Sequence, residues 1–353
     1  MSRINQILFA LLVALIGIFI ILEKPWVEDA FEQSEARLSR PLFEEFDSTK
    51  AAKIIVKKGA TEIEVRKAAV GWTLPAVSNF IASEERVARL LERVSAMNRK
   101  DLVTSDKSQH SRYSVTEADA PRVIISDSAG KAIADFYQGK PYFDMNEIQD
   151  GGRLNQLDCY VRAAASDEVY RITPFESLEP IQISDWLPKN LYKFDISAIQ
   201  TLTLSGSEFT EQLAINRLPD GNWRVVSAGG DTAGNKEACE ALARSLSSMY
   251  LSDLAGVFNP SEAAKYGFDI PRIHAKMVLT GNTNEELIIG KDIEAALEEG
   301  ESQSAYALGG VAKTHVAKVY KSSLAALKVT KQQLIGTPES APAVPESNPS
   351  PIK

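Results

Sequence analysis

The chain has 353 residues, more than one ordinary hydrophobic core serves, which points to two domains. Its 44% apolar and 24% charged residues are those of a folded globular protein. A formal charge of -8, with no RNA- or DNA-binding motif, argues against nucleic acid as a partner.

The first predicted element is a membrane anchor. From Ile7 to Leu22 the sequence reads ILFALLVALIGIFIIL, sixteen uninterrupted apolar or glycine residues, and Ile4 extends its reach. At about 1.5 Å per residue this is near the minimum for crossing a hydrocarbon core of about 30 Å. Trp26 follows where an interfacial aromatic belongs. The run leads into Glu23-Lys24-Pro25-Trp26, with neither a small-x-small cleavage site nor a lipobox cysteine. A single-pass, uncleaved transmembrane helix over residues 4–22 is therefore expected rather than a signal peptide. Arg3 precedes it, and Glu23–Lys50 holds eight acidic residues against four basic ones. The positive-inside tendency places the N-terminus in the cytoplasm and the bulk of the chain on the periplasmic side of the inner membrane. Residues 23–45 form a charged spacer.

Beyond the spacer the chain repeats itself, and a repeat organises the fold. FDSTKAAKIIV from Phe46 answers to FDISAIQTLTL from Phe194, Trp72 to Trp223, and Leu91 to Leu242. Two helical runs end alike in Met-x-x-x-Asp-Leu, at Met97–Leu102 and Met249–Leu254. Asp119-Ala-Pro121-Arg122-Val123 pairs with Asp269-Ile-Pro271-Arg272-Ile273, Gly139-Lys140 with Gly290-Lys291, and Tyr160 with Tyr306. Tyr113 likewise echoes Tyr266. The boundaries are 46–190 for the first unit and 194–335 for the second.

Within each unit, alternation comes first: Ile54 with Val56 and Ile63 with Val65, then Leu202 with Leu204 and Trp223 with Val225. Pro219-Asp220-Gly221-Asn222 is a turn before Trp223. One amphipathic helix follows, with Val87, Leu90, Leu91, Val94 and Met97 on a single face, and Cys239, Leu242, Leu246 and Met249 on its counterpart. Ser83 and Asn235 are placed to cap these helices. Strand-like runs then resume at 122–126, 133–137, 160–163 and 168–172, and at 273–279 and 286–289. The expected fold class is α+β, with two tandem homologous units, each a largely antiparallel sheet with one main helix. The proline-rich residues 336–353 read as a disordered tail.

No catalytic, cofactor-binding or metal-ligating residue is assigned. The three histidines, His110, His274 and His315, are isolated, and HExxH and GxSxG are absent. His274 has no counterpart, since Ile124 stands at the matching place. Gly229–Lys236 (GGDTAGNK) misses the P-loop spacing and reads as a helix-leading turn. Glu298, Glu299 and Glu301 read as a solvated run. Cys159 and Cys239 have no ligand spacing, and a single disulfide between them is left open. KYGFDIPRI at Lys265–Ile273 gathers Tyr266, Asp269 and Arg272, yet its D-x-P-R portion recurs in the first unit. It reads as the launch of a strand, with Asp269 and Arg272 in a local ion pair or hydrogen bond.

The order of these short motifs, together with the anchor and the joining segment DWLPKNLYKFD at Asp185–Asp195, resembles the bacterial family called domain of unknown function 4340. The resemblance implies a membrane-anchored protein without established catalytic residues, often encoded beside ABC-type or gliding-motility-like transporters. The expectation is a non-enzymatic extracytoplasmic accessory or scaffold protein, needing no cofactor, whose partners are the membrane and an ABC-type transporter permease or auxiliary subunit. An envelope glycan- or lipid-binding module is the alternative, and an envelope hydrolase a more distant one.

Overall fold

A computed structural model of the chain describes residues 40–142, 158–172, 176–294 and 303–335. The anchor at 4–22, most of the spacer, the tail at 336–353, and Glu298, Glu299 and Glu301 lie outside the described residues. Among the described residues no helix is long and apolar enough to cross a membrane. The described residues divide into two compact units, one within 40–76 and 84–182, the other within 77–83 and 183–335.

The strands of the first sheet are β1 (Lys53–Lys58), β2 (Thr61–Ala68), β3 (Gly71–Leu74), β4 (Phe80–Ile81), β5 (Leu102–Thr104), β6 (Arg122–Ser126), β7 (Ala132–Tyr142), β8 (Asp158–Ala163) and β9 (Val169–Ile172). Those of the second are β10 (Ile199–Ser205), β11 (Leu213–Arg217), β12 (Trp223–Ser227), β13 (Gly230–Ala233), β14 (Asp253–Val257), β15 (Ile273–Leu279), β16 (Thr283–Asp292), β17 (Ser304–Gly309) and β18 (Ala312–Tyr320). The spatial orders are β4-β3-β2-β1-β6-β7-β8-β9-β5 and β13-β12-β11-β10-β15-β16-β17-β18-β14, which are the same order. The paired strands run antiparallel, as in β1 against β6 and β10 against β15.

The main helices are α1 (Glu84–Ala96) and α2 (Lys236–Ser247). Short helices α3 (Ala263–Tyr266), α4 (Lys321–Leu324) and α5 (Lys331–Ile335) belong to the second unit. Asn235 caps α2 as expected, its side chain accepting from the Ala238 amide at 2.9 Å. The α+β expectation is thus corrected toward mostly β. The sequence patterns missed β4, β5 and β13 because two to four residues carry no period. β5 and β14 were hidden further because Leu102, Asp253 and Leu254 read as the ends of the two helical runs, which in fact stop at Ala96 and Ser247, and β18 was missed because its outer positions are mostly polar.

Strand alternation sorts the side chains. Ile54, Val56, Ile63 and Val65 are buried on the core face of the first sheet, and Leu202, Leu204, Ala275, Met277, Leu287 and Ile289 on that of the second. Over them pack Val87, Leu90, Leu91 and Val94 of α1, and Cys239, Leu242, Ala243 and Leu246 of α2, each within its own unit. Burying each large side chain of this kind stabilises by about 1.5–3 kcal/mol. The buried positions also correct one pairing by a residue. With Met97 and Met249 both buried just past the helices, Leu242 stands where Leu90 does, and Ala243 where Leu91 does.

Candidate functional site

The motif KYGFDIPRI resolves into structure. Tyr266 ends α3, and Gly267 caps it in the left-handed region at φ +78°, where a side chain would be strained. Tyr266 and Phe268 are buried with Val316. The Tyr266 ring lies 5.0 Å from Tyr306, and the Lys265 ammonium 4.9 Å over it. The first unit builds the same knot from Tyr113 and Tyr160, 4.7 Å apart, with Arg112 at 5.8 Å and Ser114 in the left-handed region at φ +55°. The paired glycines explain themselves here. A Cβ on Gly139 would overlap the Tyr113 carbonyl oxygen, and one on Gly290 the Tyr266 carbonyl oxygen.

Arg272 does form ion pairs. It donates to Glu208 at 2.8 Å and to Asp292, while Lys328 also reaches Glu208 and Lys321 reaches Asp292. Hydrogen bonds from Lys328 and Arg272 hold the Glu208 carboxyl below its ordinary range. Burial works the other way on Asp292, but Lys321 and Arg272 outweigh it and its carboxyl is lowered. Asp269 is exposed and makes no ion pair among the described residues. The D-x-P-R equivalence also needs correcting. β6 starts at Arg122 but β15 at Ile273, one residue past Arg272. Lys57 faces Arg122, whereas Ser205 faces His274, so His274 is the counterpart of Arg122 in the sheet. A slip of two keeps every side chain on its face, so alternation could not reveal it. Arg122 pairs with Asp135 on the next strand, and His274 with Glu286 in the same diagonal position.

The remaining candidates separate. His110, from a polar segment, is buried, and its Nε2 lies 2.9 Å from the Asp167 carbonyl oxygen. His315 is buried with Nδ1 3.0 Å from Thr314 Oγ1. Cys159 and Cys239 are free, buried thiols, each inside its own unit. Burial pushes Cys159 up to about 12 and Cys239 up to about 11, the setting of inert thiols rather than nucleophiles. Gly229–Lys236 contains the edge strand β13, which the glycines had hidden. Among the described residues no three His, Cys, Asp or Glu side chains are grouped to hold a metal.

What the sequence did not single out is a cleft of about 650 Å³ on the second sheet. Its lining includes Thr203 on β10, Lys276 and Val278 on β15, Asn284 and Glu286 on β16, and Leu308 on β17. These side chains stand on the face opposite Met277 and Leu204, the solvent face. Lys276 faces Thr203 on one side and Glu286 on the other. Glu286 is engaged by His274, and its backbone carbonyl accepts from Tyr192 Oη at 2.6 Å. Lys276 is exposed and has no ion-pair partner among the described residues. In the first unit the same row across the sheet reads Ile55, Ile124 and Asp135. One unit therefore presents hydroxyl, ammonium and carboxylate where the other presents two isoleucines and a carboxylate. The only sequence signal was this difference, which needs the register to be seen.

A family model described as a domain of unknown function (DUF4340) matches residues 72–271, more than half of the chain. No curated protein and no solved structure matches.

Proposed function

Because this chain belongs to the domain of unknown function 4340 family, we propose that it is a non-enzymatic accessory protein, held to the membrane by residues 4–22 and working outside the cytoplasm. Its partner is a subunit of an ABC-type transporter, and the polar row Thr203–Lys276–Glu286 is where that partner docks. One observation carries the reading: two units of one topology keep the same internal knots but differ on this solvent-facing row. A binding protein needs that kind of divergence, because framework residues fix shape while exposed polar groups choose partners. An unpaired ammonium beside a hydroxyl fits an acidic or carbonyl-rich surface.

Affinity purification of the full chain from gently solubilised membranes tests the proposal. Transporter subunits should co-purify with the unaltered chain and be lost with Lys276→Glu, while the folded fraction stays the same. Recovery of the chain alone across several mild detergents would overturn it. The cleft's aliphatic floor, Val278 and Leu308, supports a second reading in which an envelope glycan or lipid occupies the same place. Binding to a glycan or lipid array that Lys276→Glu abolishes, without any transporter subunit recovered, would select it.

A further inference from the structure

The first unit carries a charge arrangement that its fold does not require. α1 presents Arg86, Arg89 and Arg93 at i, i+3 and i+7, a single stripe of the helix. All three guanidinium groups converge on one carboxylate, Glu176. Arg86 bonds its Oε1 directly. Arg89 Nε and Arg93 Nη1 stand 3.8 and 3.7 Å from Oε2, outside hydrogen-bonding distance. Glu85 also pairs with Arg89, so among the described residues these three cations share two carboxylates. In the second unit the helix with the same buried pattern holds Ala238, Ala241 and Ser245 at the matching positions. Helix packing therefore does not call for arginine.

One carboxylate offers two oxygens and one charge to three planar forks that each carry five donors. A phosphate group offers three oxygens and close to two charges, a better match to this donor set. Glu176 is also placed to leave. Its side chain is 42% exposed, whereas that of Arg86 is 11% exposed. The backbone around it is held independently: Gln138 Nε2 donates to the Glu176 carbonyl and Gln138 Oε1 accepts from the Leu178 amide, both at 3.0 Å. These two bonds hold the backbone at Glu176 and Leu178 without using the Glu176 carboxylate.

We propose that the arginine stripe of α1 is a binding site for a phosphate group, and that Glu176 is the internal anion occupying it in the ligand-free chain. The phosphate belongs either to a lipid headgroup or to a soluble phosphate compound; the recognising chemistry is shared. Isothermal titration of the full chain in nonionic detergent tests the site, with pyrophosphate as one probe and dihexanoyl phosphatidic acid as the other. Glu176→Gln should bind on the order of fivefold more tightly than the unaltered chain, as expected for removing a partly exposed competing ion pair. Arg89→Gln, at a half-exposed position, should weaken binding of both probes while leaving the melting temperature near its starting value. Tighter binding of the short-chain lipid assigns a headgroup, and equal binding assigns a soluble phosphate. Absence of saturable binding to either probe, in both the unaltered chain and Glu176→Gln, overturns the proposal. So does binding that Arg89→Gln leaves unchanged, which also decides the matter if Glu176→Gln fails to fold.

Discussion

Gly290→Ala puts the duplicated knot under direct strain. The new methyl would overlap the carbonyl oxygen of Tyr266 and lie 3.0 Å from Phe268 Cδ1. Overpacking that side chains can absorb costs about 1–3 kcal/mol. Here the obstacle is main chain, fixed by the Gly267 cap and by the Lys291 ammonium, which donates to the Ala264 carbonyl at 2.8 Å. The cost should fall at the upper end, about 3 kcal/mol, which lowers the melting temperature of a unit this size by about 6–12 °C. Two units need not unfold together, so hydrogen exchange followed peptide by peptide is the assay. Exchange should rise across β15 and β16 and stay unchanged across β6 and β7, and Gly139→Ala should give the reverse. Gly229→Ala is the control, since its methyl would meet only the flexible end of Lys331 at 3.0 Å and the Ser227 hydroxyl at 3.9 Å. If Gly290→Ala melts within a degree of that control, the close approach is not what selects glycine.

Three further outcomes follow from the same geometry. Arg272→Ala should lower stability by about 1–2 kcal/mol, as for losing charge-assisted hydrogen bonds at a partly buried site, and leave partner recovery unchanged. Because Glu208 and Asp292 have lowered carboxyl pKa values, their contribution is present above the ordinary values of 4.5 and 3.8 and fades as pH falls through the folded ones. The variant's acid limb, read by denaturant midpoints, should therefore be shallower. The buried thiols act in the opposite direction: their folded pKa values are raised above the ordinary 9.0, so stability falls as pH rises from about 9 toward 11–12. At pH 8 neither thiol should be alkylated by iodoacetamide until denaturant is added; rapid labelling of the native chain would contradict their burial. Ser114→Gly should stabilise the first unit by about 0.5–1 kcal/mol by relieving a left-handed serine, and thermal melting should show Gly267→Ser doing the opposite in the second.

The parts of the fold legible in the sequence were those with a period. Ile54 and Val56, Leu202 and Leu204, and Val87, Leu90, Leu91 and Val94 of α1 with Cys239, Leu242 and Leu246 of α2 fell where alternation and helical spacing placed them, whereas Met97 and Met249, expected on the same helical faces, are buried just past the helix ends. Edge strands escaped because β4 has two residues, and because all four residues of β13 are exposed. The pairing of Leu91 with Leu242 slipped by one because two buried leucines adjoin in α1, and only the whole buried set, Val87, Leu90, Leu91 and Val94 against Cys239, Leu242, Ala243 and Leu246, fixes the register. The equivalence of Arg122 with Arg272 slipped by two, the one error alternation cannot detect. The cleft was invisible for a related reason. Thr203, Lys276 and Glu286 are far apart in sequence and become neighbours only through the register of β10, β15 and β16.

Comparing the two units position by position separates what holds the fold from what could recognise a partner. Tyr113 with Tyr160 and Gly139 repeat as Tyr266 with Tyr306 and Gly290, in both chemistry and contact, so a change at any of them should be felt as lost stability. The positions that break the repeat outside the apolar core are of another kind: Lys276 against Ile124, and Arg86, Arg89 and Arg93 against Ala238, Ala241 and Ser245. Neither set is needed for its sheet or helix, because the other unit forms the same element without it. The two sets also lie in different units, one ammonium row in the second and one arginine stripe in the first. Replacing Lys276 by isoleucine and, separately, Arg89 by alanine imports each unit's residue into the other. Both variants should melt near the unaltered chain, the first losing only partner recovery and the second only phosphate binding. Loss of both functions in either variant would mean that the two units do not act as separable modules.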